Sequence, residues 1–437
     1  MTSELAREPE MLRPVDTDVI APPFERRPSD LAARLARLRA EVPRGHPAPG
    51  TDAPVRHAIR DRATCLADAI GGQVEQGSGG RWVRVADVRE LPVPFERLAE
   101  LPYPVDPAHP LVCLDTETTG LGTAAGTIAF LVGIGRWDGS RFAVDQLVLP
   151  DHPDEPAFLA ALRAAIPPDA WLVTYNGRGF DWPLLVTRFR MQRAAPPDHA
   201  GHLDLLPVAR QLWRHRLDDA RLSTVERGVA GVVRVDDLPG ALVPARYLEF
   251  LRTGDARPLR AVIDHNRQDV VSLGLLVAHL ATRLATPPSR ELEPAGDVAA
   301  LGRAFARHRR FDEALACCDT AVGHAADARQ QETLAAERAR ILRLAGRHED
   351  SAAAWQQIAD GRGSLAAVAW VQLAKHHEHV RRDPVAALEA ADRALALAER
   401  QTALGRELPR LTHDLARRRS RLGRRIARRR ATAAPRA

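Results

Sequence analysis

LVCLDTETTG, residues 111–120, decides how this chain is read. The apolar run at 111–114 breaks into Asp115-Thr116-Glu117, and side chains alternate faces along a strand, so Asp115 and Glu117 project the same way from a strand end. One strand thus presents two hard oxygen ligands. A second apolar run, 171–175, has the same character; after an Asn176-Gly177 turn the chain reaches Asp181, placed as the N-cap of a helix that holds Pro183. Asp269 lies in a helical stretch four residues after His265, so the two share one helix face and enter one cleft together. Four carboxylates gathered in that cleft repel one another unless cations lie between them.

That repulsion selects the cation. Clustered carboxylates with no cysteine and at most one histidine suit Mg²⁺ or Mn²⁺ rather than Zn²⁺, which prefers nitrogen and sulfur. Two such ions about 3.5–4 Å apart activate a water and stabilise the leaving oxygen of a phosphodiester displacement. The expected metal ligands are Asp115, Glu117, Asp181 and Asp269, and His265 is the side chain placed to orient or deprotonate the water, a task suited to an imidazole.

Taken in order, DxE on a first strand, YNGRGFD at the start of a helix and HNRQD on a late helix resemble the three motifs of the DEDD 3'-5' exonucleases, a branch of the ribonuclease H-like fold. GTIAFLVGIG (126–135), HLDLL (202–206), LSTVERGVAGVVRVDDLPG (222–240), PARYLEFLRTG (244–254) and HNRQDVVSL (265–273) extend the likeness to the YprB-like ribonuclease H-like family over roughly 111–280. The resemblance implies an α/β mixed sheet with flanking helices, two Mg²⁺ or Mn²⁺ ions, and 3'-5' exonuclease action on single-stranded ends of DNA or RNA. It also implies that Asp115, Glu117, Asp181, His265 and Asp269 are catalytic, with Thr118 and Asn176 touching the substrate. One spacing departs from the superfamily, where a catalytic His usually stands five residues before the last Asp and four-residue spacing usually carries Tyr; here His265 stands four before Asp269. The competing readings are a non-catalytic nucleic-acid-binding or scaffold protein and a structure-specific endonuclease. Among neighbouring residues, Asp204 reads as an outer acid or a cap, Asp236 and Asp237 as structural, and Arg178 and Arg188 as candidates to reach phosphate.

Composition fits this picture. A chain of 437 residues exceeds one ordinary core, so two ordered domains plus tails are expected. The first residues, MTSELAREPEMLRP, are too polar for a signal peptide and no run of about 18 apolar residues follows, which points to a cytoplasmic protein without a membrane partner. Cys65, Cys113, Cys317 and Cys318 have no metal-ligand spacing. From position 408 to the end, eleven Arg against one Asp give +10, so a net +6 for the whole chain leaves −4 for the rest. Such a tail can follow a phosphate backbone through counterion release.

The expected organisation is a loosely ordered region (1–50) with one helix at 29–42, then a leader segment (51–105) whose GSGGRWVRVADVRELP suggests a strand or hairpin packed on the core. The ribonuclease H-like domain follows (106–286), with strands at 111–115, 128–136, 141–149, 171–175 and near 202–205, and helices at 155–166 and 181–193. Trp137-Asp138-Gly139-Ser140 turns the second strand into an antiparallel third, and parallel neighbours of the first strand would set Asp115 at the sheet's ligand crevice. Beyond a linker at 286–294, the segments RRFDEALACCDTAV, GRHEDSAAAWQQIA and RRDPVAALEAADRAL recur with Phe311, His348 and Pro384 in equivalent places, at offsets of 37 and 36. They resemble tetratricopeptide-like helical repeats (295–405), with Ala314, Ser351 and Ala387 as the small packing residues and a groove suited to a protein or peptide partner. An Arg-rich tail (406–437) ends the chain.

Overall fold

Apolar alternation builds the strands close to where the sequence places them. The computed structural model describes residues 61–103, 105–120, 126–235, 237–361, 363–403 and 409–433; the helix expected at 29–42 lies outside them. Among the described residues seven strands form one sheet: β1 (Gln73–Gly77), β2 (Gly80–Glu90), β3 (Leu111–Thr118), β4 (Ala129–Asp138), β5 (Arg141–Val148), β6 (Trp171–Thr174) and β7 (Gly201–Asp204). Their spatial order is β1-β2-β5-β4-β3-β6-β7. The leader segment is a hairpin turned at Gly79, whose φ of 92° suits glycine, and β2 runs antiparallel along β5, so the hairpin widens the sheet by two strands. β4 is antiparallel to β5, as the Asp138-Gly139 turn requires, and also to β3. β3, β6 and β7 are parallel, and their C-terminal ends therefore lie along one edge.

Helices cover both faces: α1 (Arg62–Ile70), α2 (Glu155–Ala165), α3 (Asp181–Met191), α4 (Leu205–Trp213), α5 (Val243–Thr253) and the long α6 (Arg260–His279). One core gathers Val112, Leu114, Val132, Phe158, Leu185 and Ile263; the other gathers Cys113, Val144, Val173, Leu203, Val270 and Leu276. α6 lies directly on β4 because two glycines clear its path. A methyl group at Gly133 would stand 2.4 Å from Asn266 Oδ1 and 2.6 Å from Val270 Cγ2, and one at Gly135 would stand 2.8 Å from Val270 Cγ1.

The remainder is helical: α7 (Ala295–Arg307), α8 (Phe311–Gly323), α9 (Ala328–Leu344), α10 (His348–Asp360), α11 (Ala366–His379), α12 (Pro384–Ala403) and α13 (Pro409–Ala433). The three recurring segments begin helices at the equivalent residues Phe311, His348 and Pro384, and Ala314, Ser351 and Ala387 are all buried. Two residues before each start the backbone turns left-handed, at Arg309 (φ 60°), Gly346 (φ 78°) and Arg382 (φ 55°), so the same stop-and-restart geometry repeats. The stretch at 286–294, read as a linker, is tied to its surroundings. Arg290 is buried and donates to the carbonyls of Leu284 and Ala285, each at 2.8 Å, while Arg216 reaches back to the fully buried Asp297 at 2.8 Å. The second core consequently runs on without a break into Val298, Leu301, Phe305 and Cys317.

Candidate metal centre

β3 carries Asp115 and Glu117 to its end, and its register against β4 shifts between Glu117 and Thr118, a local irregularity of the kind that re-aims a side chain. Asp115 accepts a hydrogen bond from Asn266 Nδ2 on α6 at 2.8 Å, and Asn266 is fixed in turn by Gln146 Nε2 at 2.9 Å. α6 also supplies His265 and Asp269. Ligand atoms of Glu117, His265 and Asp269 lie within 4.8 Å of one another. Asp181 is the first residue of α3 rather than its N-cap, which is Phe180, and its carboxylate is buried and accepts from the Thr116 hydroxyl.

Burial and mutual charge act on these acids together. Burial pushes the Asp115 carboxyl well above its ordinary range, and the charges of Asp269, Asp181 and Glu117 push it further. Glu117 is raised in the same way by burial and then by Asp269 and Asp181. Burial lifts Asp181 to about 6 against the pull of the Thr116 hydroxyl. Asp269 is raised by burial too, with His265 and Arg234 working in the other direction.

Two residues that the sequence reading set aside or missed complete the cleft. Asp237, expected to be structural, faces His265 instead: its Oδ1 lies 2.6 Å from Nδ1, which leaves Nε2 turned toward Asp269 Oδ2 at 3.6 Å and Glu117 Oε1 at 3.9 Å. Although partial burial opposes it, the His265 ring and Arg234 hold the Asp237 carboxyl below its usual range. Arg234 forks onto the fully buried Glu226, Nε to Oε1 at 2.5 Å and Nη2 to Oε2 at 3.0 Å, and also pairs with Asp237 at 3.1 Å and with Asp269. Asp236 lies outside the described residues.

The other candidates make local contacts. The Thr118 hydroxyl donates to the Gly120 carbonyl at 2.6 Å. Asn176 sits in a left-handed turn (φ 68°) and its backbone N–H donates to Asp204 at 2.8 Å. Asp204 is therefore a cap: it takes the N–H groups of Asn176, Arg178 and Leu206, fixing the turn that leads to Asp181. Arg178 donates to the His202 carbonyl, and Arg188 is buried against Glu155 with two contacts of 2.6 Å. The four cysteines are free thiols. Among the described residues no helix is long and apolar enough to cross a membrane.

The donor set fits a hard divalent cation. It consists of carboxylate oxygens whose affinity for protons is raised by burial and then by one another's charge, so a cation would relieve the repulsion and release protons. A family model for the RNase_H superfamily matches residues 112–281. The chain is also similar to the uncharacterized protein YprB of Bacillus subtilis (strain 168), 31% identical over 299 residues, which span 67% of this chain and 71% of the relative. That longer stretch extends beyond the superfamily match.

Proposed function

The chain belongs to the YprB family and carries an RNase H superfamily domain, and from this premise we propose a divalent-metal-dependent 3'-5' exonuclease of the DEDD type, acting on single-stranded ends of DNA or RNA. The observation that carries the reading is geometric: ligand atoms of Glu117, His265 and Asp269 lie within 4.8 Å of one another, with Asp115 tied to the same helix by Asn266 and Asp181 tied to Thr116 of the same strand. Those four acids would hold two Mg²⁺ or Mn²⁺ ions, which when bound supply charge stabilisation at the attacking and leaving oxygens. The chain itself supplies the base. With Asp237 accepting from Nδ1, the Nε2 lone pair of His265 faces the acids and is poised to take a proton from water. Asn266 holds Asp115 in place, and Thr118 and Asn176 stand at the turns that would receive the terminal nucleotide.

In this reading the nuclease work belongs to 106–286. The helices of 295–405 form tetratricopeptide-like hairpins whose groove, lined by Glu332, Arg338 and Gln357, would receive a peptide. Time courses on end-labelled single- and double-stranded DNA and RNA, with Mg²⁺, Mn²⁺ or chelator, test the proposal. Mononucleotides from one end are expected, and Asp115→Asn or Asp269→Asn should lower the rate by roughly a thousandfold or more, the several kcal/mol that such an ion contributes. Internal fragments would mean an endonuclease, and mobility shifts without cleavage a binder. Parent-like rates in folded Asp115→Asn protein would end the assignment.

A further inference from the structure

At 233–235 the usual order of burial is reversed. Val233 and Val235 are 69% and 83% exposed, whereas the Arg234 side chain between them is only 10% exposed. Val235 is the most exposed large apolar side chain among the described residues. The segment that carries the two valines is nevertheless tied down along its length. The Val232 N–H donates to the Glu226 carbonyl at 3.2 Å, Arg234 spans Glu226, Asp237 and Asp269, and Asp237 holds His265. Glu226 is fixed in turn by the Ser272 hydroxyl of α6. Arg234 and Asp237, which bracket Val235, therefore both reach into the acidic cleft, and Val233 directly precedes Arg234. Since consecutive Cα atoms are about 3.8 Å apart, the two valines stand at the rim of that cleft. Holding two branched apolar side chains in water costs free energy that no packing partner within the chain recovers. A protein seated on the rim would close the cleft, whereas a strand that brings a phosphate to the acids carries its bases alongside. Unpaired bases offer their apolar faces freely, while in a duplex stacking covers all but the outer face of the last pair.

We propose that Val233 and Val235 form the base-contacting rim of the cleft: they take the apolar faces of the unpaired nucleobases next to the scissile phosphate, whatever their sequence, and so favour single-stranded over paired ends. This rests on the nuclease reading above. The test compares the full-length parent with Val233→Ser/Val235→Ser in Mn²⁺, on a labelled single strand and on the same strand with its terminal nucleotides made abasic. Both positions are exposed, so the two substitutions leave the core intact. Loss of the apolar contact should lower kcat/KM on the normal strand by about tenfold and narrow the preference for a single strand over a blunt duplex. The parent should be slower on the abasic strand by a similar factor. There the double variant should lose no more, because the missing bases and the missing methyl groups remove one and the same interaction. Fluorescence anisotropy on the same strands, with Ca²⁺ in place of Mn²⁺, should show this pattern in affinity. Parent-like behaviour of the double variant on the normal strand overturns the proposal. An equal loss on normal and abasic strands overturns it too, since the valines would then only shape the loop. If the parent cuts no strand with any metal, the nuclease reading fails, and the anisotropy comparison still decides whether the rim takes bases.

Discussion

His265 owes its direction to Asp237, a residue 28 positions earlier on a loop. A carboxylate on Nδ1 fixes which ring nitrogen carries the proton and leaves the other free to accept one, so the pair should work as a unit. Asp237→Asn should then reduce kcat by about 10²–10⁴, the range of a general base, with little change in KM. His265→Ala should show a similar loss, and combining the two should cost no more than His265→Ala alone, because members of one unit are not additive. Single-turnover rates decide this, with the exposed His324 replaced as a reference; a double variant much slower than His265→Ala, or a His265→Ala loss no larger than that of the reference, would separate the two residues. The four acids and His265 were legible in the sequence because each is tied to a periodic element whose face can be counted. Asp237, Arg234 and Glu226 were not. They sit on or beside a loop without periodicity, where two adjacent aspartates and an arginine between valines look like solvated surface, and only the buried partners on α6 reveal otherwise.

Elements place these residues through one close approach, α6 upon β4. Gly133 makes it possible, and the Asn266 it admits is the side chain that grips Asp115. Gly133→Ala forces a methyl group into Asn266 and Val270, which are packed from both sides, so it should destabilise the fold by about 1–3 kcal/mol, the cost of overpacking. It should also weaken Mn²⁺ binding by shifting the Asn266–Asp115 contact. Urea midpoints and Mn²⁺ titrations read the two effects, and a variant matching the parent in both would show that the helix has slack there. The strands were readable to within a few residues because apolar runs and the Asp138-Gly139 turn bound them, and the antiparallel β4–β5 pair follows from that turn. The Asp181 cap was misplaced by one residue, since Phe180 holds that position. The widening of the sheet by β2 was not readable, because its partner β5 lies about 60 residues on and pairing across such a gap leaves no local mark.

Across the whole molecule, apolar packing and charge distribute themselves differently. Packing is continuous from the sheet into α7 and α8, so the composition change near 286–294 marks a change of element type and not a loose tether; the sequence shows the former and is blind to the latter, because Arg290 finds its carbonyls only in three dimensions. Charge instead concentrates at the end, where 408–437 carries +10 against −4 elsewhere. α13 packs against the helices before it: Leu415 and Leu422 are buried, and Arg418 and Arg421 clamp the buried Glu378. Beside that anchored stripe Arg424 and Arg425 are exposed, lining a shallow groove with Arg421, Arg428 and Arg429. A phosphate backbone laid there would release counterions in proportion to the phosphates neutralised. Arg424→Gln/Arg425→Gln should accordingly weaken single-stranded oligonucleotide binding and flatten the slope of log K against log salt by roughly 1.4, about 0.7 for each lost phosphate contact on a single strand. Because both residues lie outside the acidic cleft, kcat at saturating substrate should not change. Fluorescence anisotropy between about 50 and 200 mM salt measures the slope, and a slope equal to the parent's would leave α13 as a bracing helix whose arginines serve only solubility.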